Sequence, residues 1–119
     1  MKNFLVLITA ILVLGCTNNK KDNGKLNVVV TTTILSDLVK NIGGDYVNIQ
    51  GLMGAGVDPH LYKASEGDVS KLFNADVIFY NGLHLEGKLV AIFEKMEAEK
   101  TTVALGEFLP KEGLISSDY

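Results

Sequence analysis

Two short runs without a polar break, Val28-Val29-Val30 and Val77-Ile78-Phe79-Tyr80, constrain this chain more than any other feature. Unalternated β-branched and aromatic residues suit strands covered on both faces, as in parallel sheets flanked by helices. Helical patterns separate these runs. Ile34, Leu35, Leu38, Val39 and Ile42 recur at three- and four-residue spacing and stop at Gly43-Gly44, which predicts a first helix with a glycine end. Tyr46 to Leu52 alternates, with Val47 and Ile49 set against Asn48 and Gln50, as expected of a half-exposed edge strand. Ser65 and Asp68 form an S-x-x-D cap for a second helix that places Val69, Leu72 and Phe73 on one face. After the second buried run, Asn81-Gly82 turns the chain. Leu89, Ile92, Phe93 and Met96 then mark a third helix reaching about Lys100, and Thr101 to Leu105 gives a short last strand.

Strands alternating with helices predict an α/β fold with right-handed crossovers and a parallel four-stranded sheet. The buried-type first strand, Leu26 to Thr31, and third strand belong in the middle, which gives the order 2-1-3-4. Ligands of such sheets sit beyond the carboxyl ends of the strands, at the switch point between strands one and three. The loop Gly51 to His60, with Gly51, Gly54, Gly56 and Pro59, opens on that side. Residues 106–119 carry no clear period, and no internal repeat is visible.

The N-terminus carries an address. Lys2 precedes an apolar stretch from Phe4 to Leu14 broken only by Thr9, and small Gly15 follows, as in a secretory signal peptide. The stretch is too short for a membrane span, which needs about 20 apolar residues. Val13-Leu14-Gly15-Cys16 resembles the bacterial lipobox, whose cysteine is lipidated and becomes the first residue after cleavage. The expected organisation is a lipoprotein signal peptide over 1–15, the lipidated Cys16 and a polar tether over 16–25, and an α/β domain over 26–119. Cys16 is the chain's single cysteine, so neither a disulfide framework nor a cysteine zinc cluster can form within it. All 11 basic residues are lysines without a basic stripe, and the net charge is -3, which argues against nucleic acid as a partner. At 47% hydrophobic the chain has the apolar content to fold.

Asp58-Pro59-His60 is the sharpest local motif, because proline fixes its own φ and pushes Asp58 towards extended backbone, so the approach to His60 is stiff. An imidazole so placed suits either a metal ligand or a satisfied loop histidine. His84, in Asn81-Gly82-Leu83-His84-Leu85-Glu86, follows a strand's carboxyl end and can face the same cleft. Glu86 complements the dipole at the start of the third helix, and Glu94, Glu97 and Glu99 with Lys95 and Lys100 form a solvated face. Tyr62 and Tyr80 suit either the cleft wall or boundary packing. No G-x-G-x-x-G follows the first strand, and no P-loop or G-x-S-x-G occurs, so no enzyme is expected.

The segments VTTTILSDLVKNIGGDYV, GLMGAGVDPHLYKASEGDVSKL and NADVIFYNGLHLEGKL, together with the lipobox, resemble the metal-binding lipoproteins of bacterial manganese/zinc ABC importers, the cluster A-I solute-binding proteins. The resemblance implies two α/β lobes joined by a long helix, with the ion held between them by two residues from each lobe. Within Gly56-Val57-Asp58-Pro59-His60-Leu61-Tyr62, His60 corresponds to the family's first metal-ligating histidine. The other three ligands fall beyond Tyr119, so the resemblance covers the N-terminal lobe only, truncated before the second, and leaves the site incomplete in this chain. The family does not use the position of His84 as a ligand, which implies a structural role or support from outside the coordination sphere, with direct coordination the alternative. The implied cargo is a divalent metal, manganese first and zinc second, because no His-rich acidic insertion lies near residues 106–119. The implied partner is an ABC permease, and the implied place is the extracytoplasmic face of the cell membrane through the lipid anchor. An adhesin-like surface interaction protein, or a truncated lobe that does not transport, is the alternative.

Labelled fatty acid is expected to follow the protein in a bacterial host and to be lost in Cys16→Ser, with equal labelling of the variant counting against the lipobox reading.

Overall fold

The computed structural model describes residues 24–115. The expected signal peptide, Cys16 and most of the tether lie outside the described residues, as do residues 116–119. Seven main elements follow in chain order: β1 (Leu26–Val30), α1 (Thr33–Gly43), β2 (Val47–Gly51), α2 (Glu66–Asn74), β3 (Val77–Tyr80), α3 (Val90–Glu97) and β4 (Thr101–Ala104). The strands form one parallel sheet in the order β2-β1-β3-β4, as the burial of the strand patterns predicts. Val29 of β1 lies opposite Gln50 of β2 and Ile78 of β3.

Each face of the sheet has its own core. On one face Val29 and Ile78 pack with Leu72 of α2 and with Leu89, Phe93 and Met96 in and beside α3, all buried. Each such side chain removed from water contributes roughly 1.5–3 kcal/mol. The ring of Tyr80 stacks on Phe93 at a centroid distance of 4.4 Å. Its hydroxyl lies 3.3 Å from Glu97, so Tyr80 serves packing. On the other face Val28, Val30 and Leu35 are buried, with Val39, Val47, Ile49 and Phe79 packed against them.

That second face is covered unevenly. Among the described residues α1 alone lies on it, above β1 and β2. Leu35 and Val39 turn to the sheet, while Ile34, Leu38 and Ile42 of the same predicted stripe stand 70%, 48% and 85% exposed. Beside them a groove of about 350 Å³ runs over Leu38, Ile42, Val77, Phe79 and Leu105. The spacing correctly groups these residues on one side of the helix, but no neighbouring element meets its outer half among the described residues. In α2, likewise, Leu72 is buried and Phe73 is 52% exposed, because adjacent helical residues point about 100° apart.

The structure corrects two charge assignments. Lys100 does not belong to a solvated helix face: α3 ends at Glu97, and the Lys100 ammonium donates to the carbonyls of Leu72, Phe73 and Ala75. It thereby satisfies the orphan carbonyls that every helix leaves at its C-terminus. Glu86, expected at the start of the third helix, lies in the turns that precede α3 and is buried. No helix among the described residues is long and apolar enough to cross a membrane.

Lys100→Met keeps the aliphatic stem and removes the three charge-assisted bonds, so the urea midpoint is expected to fall with an unchanged slope, corresponding to roughly 1.5–3 kcal/mol.

Candidate functional site

The carboxyl ends of β1 and β3 meet under two loops. The chain leaving β2 swings over the end of β1, where the Leu52 N–H donates to the Val30 carbonyl at 2.9 Å and the Met53 N–H to the Thr31 carbonyl at 3.0 Å. Leu52 and Met53 are buried and act as the loop's apolar anchors. Beyond them residues 54–58 are exposed. The Asp58 carboxylate accepts from the His60 N–H at 2.9 Å, an Asx-turn that fixes the backbone across Pro59. His60 is thus presented on the solvent side of the loop, exposed, and its imidazole has no hydrogen-bond partner among the described residues.

The returning limb of this loop is tied down by Tyr62. Its hydroxyl donates towards Asp68 Oδ2 at 2.7 Å and the Leu52 carbonyl at 3.0 Å, joining the end of the loop to its beginning and to α2. Asp68 completes the predicted capping box: its carboxylate accepts from the Ser65 N–H and hydroxyl, and the Ser65 hydroxyl accepts from the Asp68 N–H. Lys71 adds an ion pair at 3.0 Å. Burial alone would raise the Asp68 carboxyl, but the bonds from Ser65, Tyr62 and Lys71 outweigh it and hold the group well below the usual carboxylate range. Burial, reinforced by the hydrogen bond to Asp68 and its charge, pushes the Tyr62 phenol up to about 12. The cap was legible in the sequence. That the same carboxylate would hold the His60 loop through Tyr62 was not, since the spacing shows only local partners.

The second loop follows β3. His84 is exposed there, and both Leu83 and His84 adopt left-handed backbone, with φ of 51° and 64°. Glu86 folds back beneath them, its carboxylate accepting from Thr31, Asn81 and the Gly82 N–H. Sequence reasoning missed this role, because a glutamate just before a helical stripe reads as a dipole partner. His60 and His84 therefore stand on separate loops at one end of the sheet. Among the described residues no group of three or more His, Cys, Asp or Glu side chains comes together to hold a metal ion.

The family described as zinc-uptake complex component A, periplasmic, matches residues 28–118. The chain belongs to this family. It is 45% identical over 113 residues to the manganese-binding lipoprotein MntA of Bacillus subtilis, a match covering 92% of this chain and 37% of that protein. It is 51% identical over 88 residues to the zinc-binding protein TroA of Treponema pallidum, covering 74% of this chain and 29% of the relative. The solved structure of the Treponema pallidum periplasmic zinc-binding protein superposes with a TM-score of 0.77 at 48% identity, over 80% of this chain and 34% of that one. The chain thus spans about a third of the length of these members.

A carboxylate whose folded-state pKa is depressed stabilises the fold above its unfolded value of about 3.9, and that contribution is lost as pH falls through and below it. The urea midpoint of the wild type is therefore expected to drop below about pH 4, and Asp68→Asn, already less stable at neutral pH, to show a shallower acid slope. The raised phenol works in the opposite window: Tyr62 stabilises below about pH 10 and that contribution fades as pH rises through about 12, a loss expected to be absent in Tyr62→Phe.

Proposed function

We propose that residues 26–119 are the N-terminal lobe of a lipid-anchored solute-binding protein that captures a divalent metal ion, manganese or zinc, for an ABC permease. The observation that carries this reading is His60: an exposed imidazole without a partner among the described residues, on a loop pinned at both ends, at the switch point of the sheet, inside the segment the family matches. Neutral imidazole nitrogen is a ligand suited to first-row divalent metals, and a loop already fixed loses little freedom when the ion binds. Relatives named for manganese and for zinc support this cargo class. With intrinsic affinity favouring zinc over manganese at nitrogen-containing sites, the choice between them rests on the geometry and donor set of the completed site.

The half-covered sheet face supports the reading of this unit as one lobe. Parallel sheets are covered on both faces, and the apolar groove beside Leu38 and Ile42 is a surface that further chain would bury. With one imidazole supplied from this lobe, carboxylates and a further histidine from the rest of the protein complete the shell and contribute the negative charge. Enclosure between lobes replaces the ion's water before delivery. His84, on the neighbouring loop, supports the shell without coordinating. Cys16 carries the lipid that keeps the protein at the extracytoplasmic face of the membrane, near its permease.

Calorimetry with Mn²⁺ and Zn²⁺ on the chain alone is expected to show weak binding, and on a two-lobed chimera completed with the remainder of the Bacillus subtilis relative, strong 1:1 binding. In the chimera His60→Ala should cost more than the about 10- to 100-fold typical of partners beyond the ligands themselves, and His84→Ala no more than that range. Binding abolished by His84→Ala and retained in His60→Ala would reverse the assignment.

A further inference from the structure

We infer that Glu86 is a positioning residue, a buried carboxylate that locks the His60 loop and the His84 loop into one unit through Thr31 and Asn81. Its side chain is 1% exposed and forms no ion pair among the described residues. Burying a carboxylate costs several kcal/mol unless donors replace its water. Here Oε1 accepts from the Thr31 hydroxyl at 2.6 Å, the Asn81 N–H at 2.8 Å and the Asn81 side-chain amide at 2.8 Å, while Oε2 accepts from the Gly82 N–H at 3.2 Å.

These bonds act on backbone that is otherwise unfavourable. Left-handed conformation costs roughly 1–2 kcal/mol per non-glycine residue, and Leu83 and His84 adopt it consecutively. The anchoring begins one residue earlier: Gly82 has φ of 80°, and the Gly106 N–H seals the Asn81 carbonyl at 2.7 Å, an approach so close that a Cβ on Gly106 would stand 2.6 Å from that oxygen. A strained loop held by a buried charge is a feature that accumulates at functional sites.

Thr31 carries the lock to the other loop. It is fully buried, its N–H donates to the Phe79 carbonyl, its carbonyl accepts from the Met53 N–H at the base of the His60 loop, and its hydroxyl donates to Glu86. The Asn81 side-chain amide also reaches Thr31 and Thr32 hydroxyls at 3.3 Å each, and Thr32 caps α1. One carboxylate therefore gathers the ends of β1 and β3, both loops and the start of α1. The coupling stands on these contacts alone, whereas its use in metal capture rests on the function proposed above.

The test compares Thr31→Val, which removes the hydroxyl donor at nearly constant shape, with Thr31→Ser, which restores it, and with Glu86→Gln, which turns an acceptor towards N–H donors. Metal-free hydrogen exchange by NMR on the full chain is expected to show Leu52, Met53 and Leu85 losing protection together in Thr31→Val, by about 10-fold or more beyond the change in the β3 amides, and recovering in Thr31→Ser. Loosening of Leu85 alone, with Leu52, Met53 and the His60 imidazole signals as in the wild type, would overturn the coupling. If Glu86→Gln does not fold, the Thr31 pair decides. In the two-lobed chimera, weaker Mn²⁺ or Zn²⁺ binding by Thr31→Val with recovery in Thr31→Ser supports a positioning role in capture. Unchanged affinity despite loosened loops would overturn that role while leaving the coupling and the metal function intact.

Discussion

The pairing of β1 with β2 on one side and β3 on the other is the constraint from which the rest of the structure follows. Because the chain steps to one side from β1 to β2 and to the other from β2 to β3 and β4, right-handed crossovers send α1 to one face of the sheet and α2 and α3 to the other. The connections leaving β1, β2 and β3 therefore converge above the middle of the sheet at its carboxyl end. Thr31, the first residue past β1, lies at that convergence and is fully buried, bonded through its backbone to both neighbouring segments. A cleft at this place is a consequence of strand order before any particular side chain is considered.

Two buried carboxylates give the cleft its shape. Asp68 gathers the cap of α2, Lys71 and the Tyr62 hydroxyl, and so holds the returning limb of the His60 loop. Glu86 gathers Thr31, Asn81 and Gly82, and so holds the left-handed stretch that carries His84. Each of the four carboxylate oxygens accepts from at least one donor, which makes burial of both charges tolerable. The two histidines gain from this arrangement without taking part in it, since each stays exposed on a backbone that others fix.

The opposite property, incomplete satisfaction, distinguishes the α1 face. Leu38 and Ile42 stand beside an apolar groove that no element covers among the described residues, in a chain about a third as long as its named relatives. For a parallel sheet this is an unfinished layer. The same division applies to the chemistry, where the His60 imidazole is exposed and no three donor side chains converge among the described residues. Packing and coordination thus give parallel support to the proposal that this is one lobe of a larger binding protein.

Strand order, helix identity and the glycine loop were legible because each depends on local periodicity: unbroken apolar runs for β1 and β3, alternation for β2, Ser65 with Asp68 for the start of α2. His60 stood out for a local reason too, the stiffness that Pro59 gives its approach. What the sequence could not determine were contacts between residues far apart in the chain. Lys100 on the end of α2, Glu86 under Thr31 and Tyr62 against the Leu52 carbonyl depend on where the folded sheet brings separate segments. Side-chain spacing records which residues share a face of one element, and only the tertiary structure decides what that face meets. For Leu35 that is the sheet, for Ile42 it is water, and for Glu86 it is a set of donors from the residues just past both central strands.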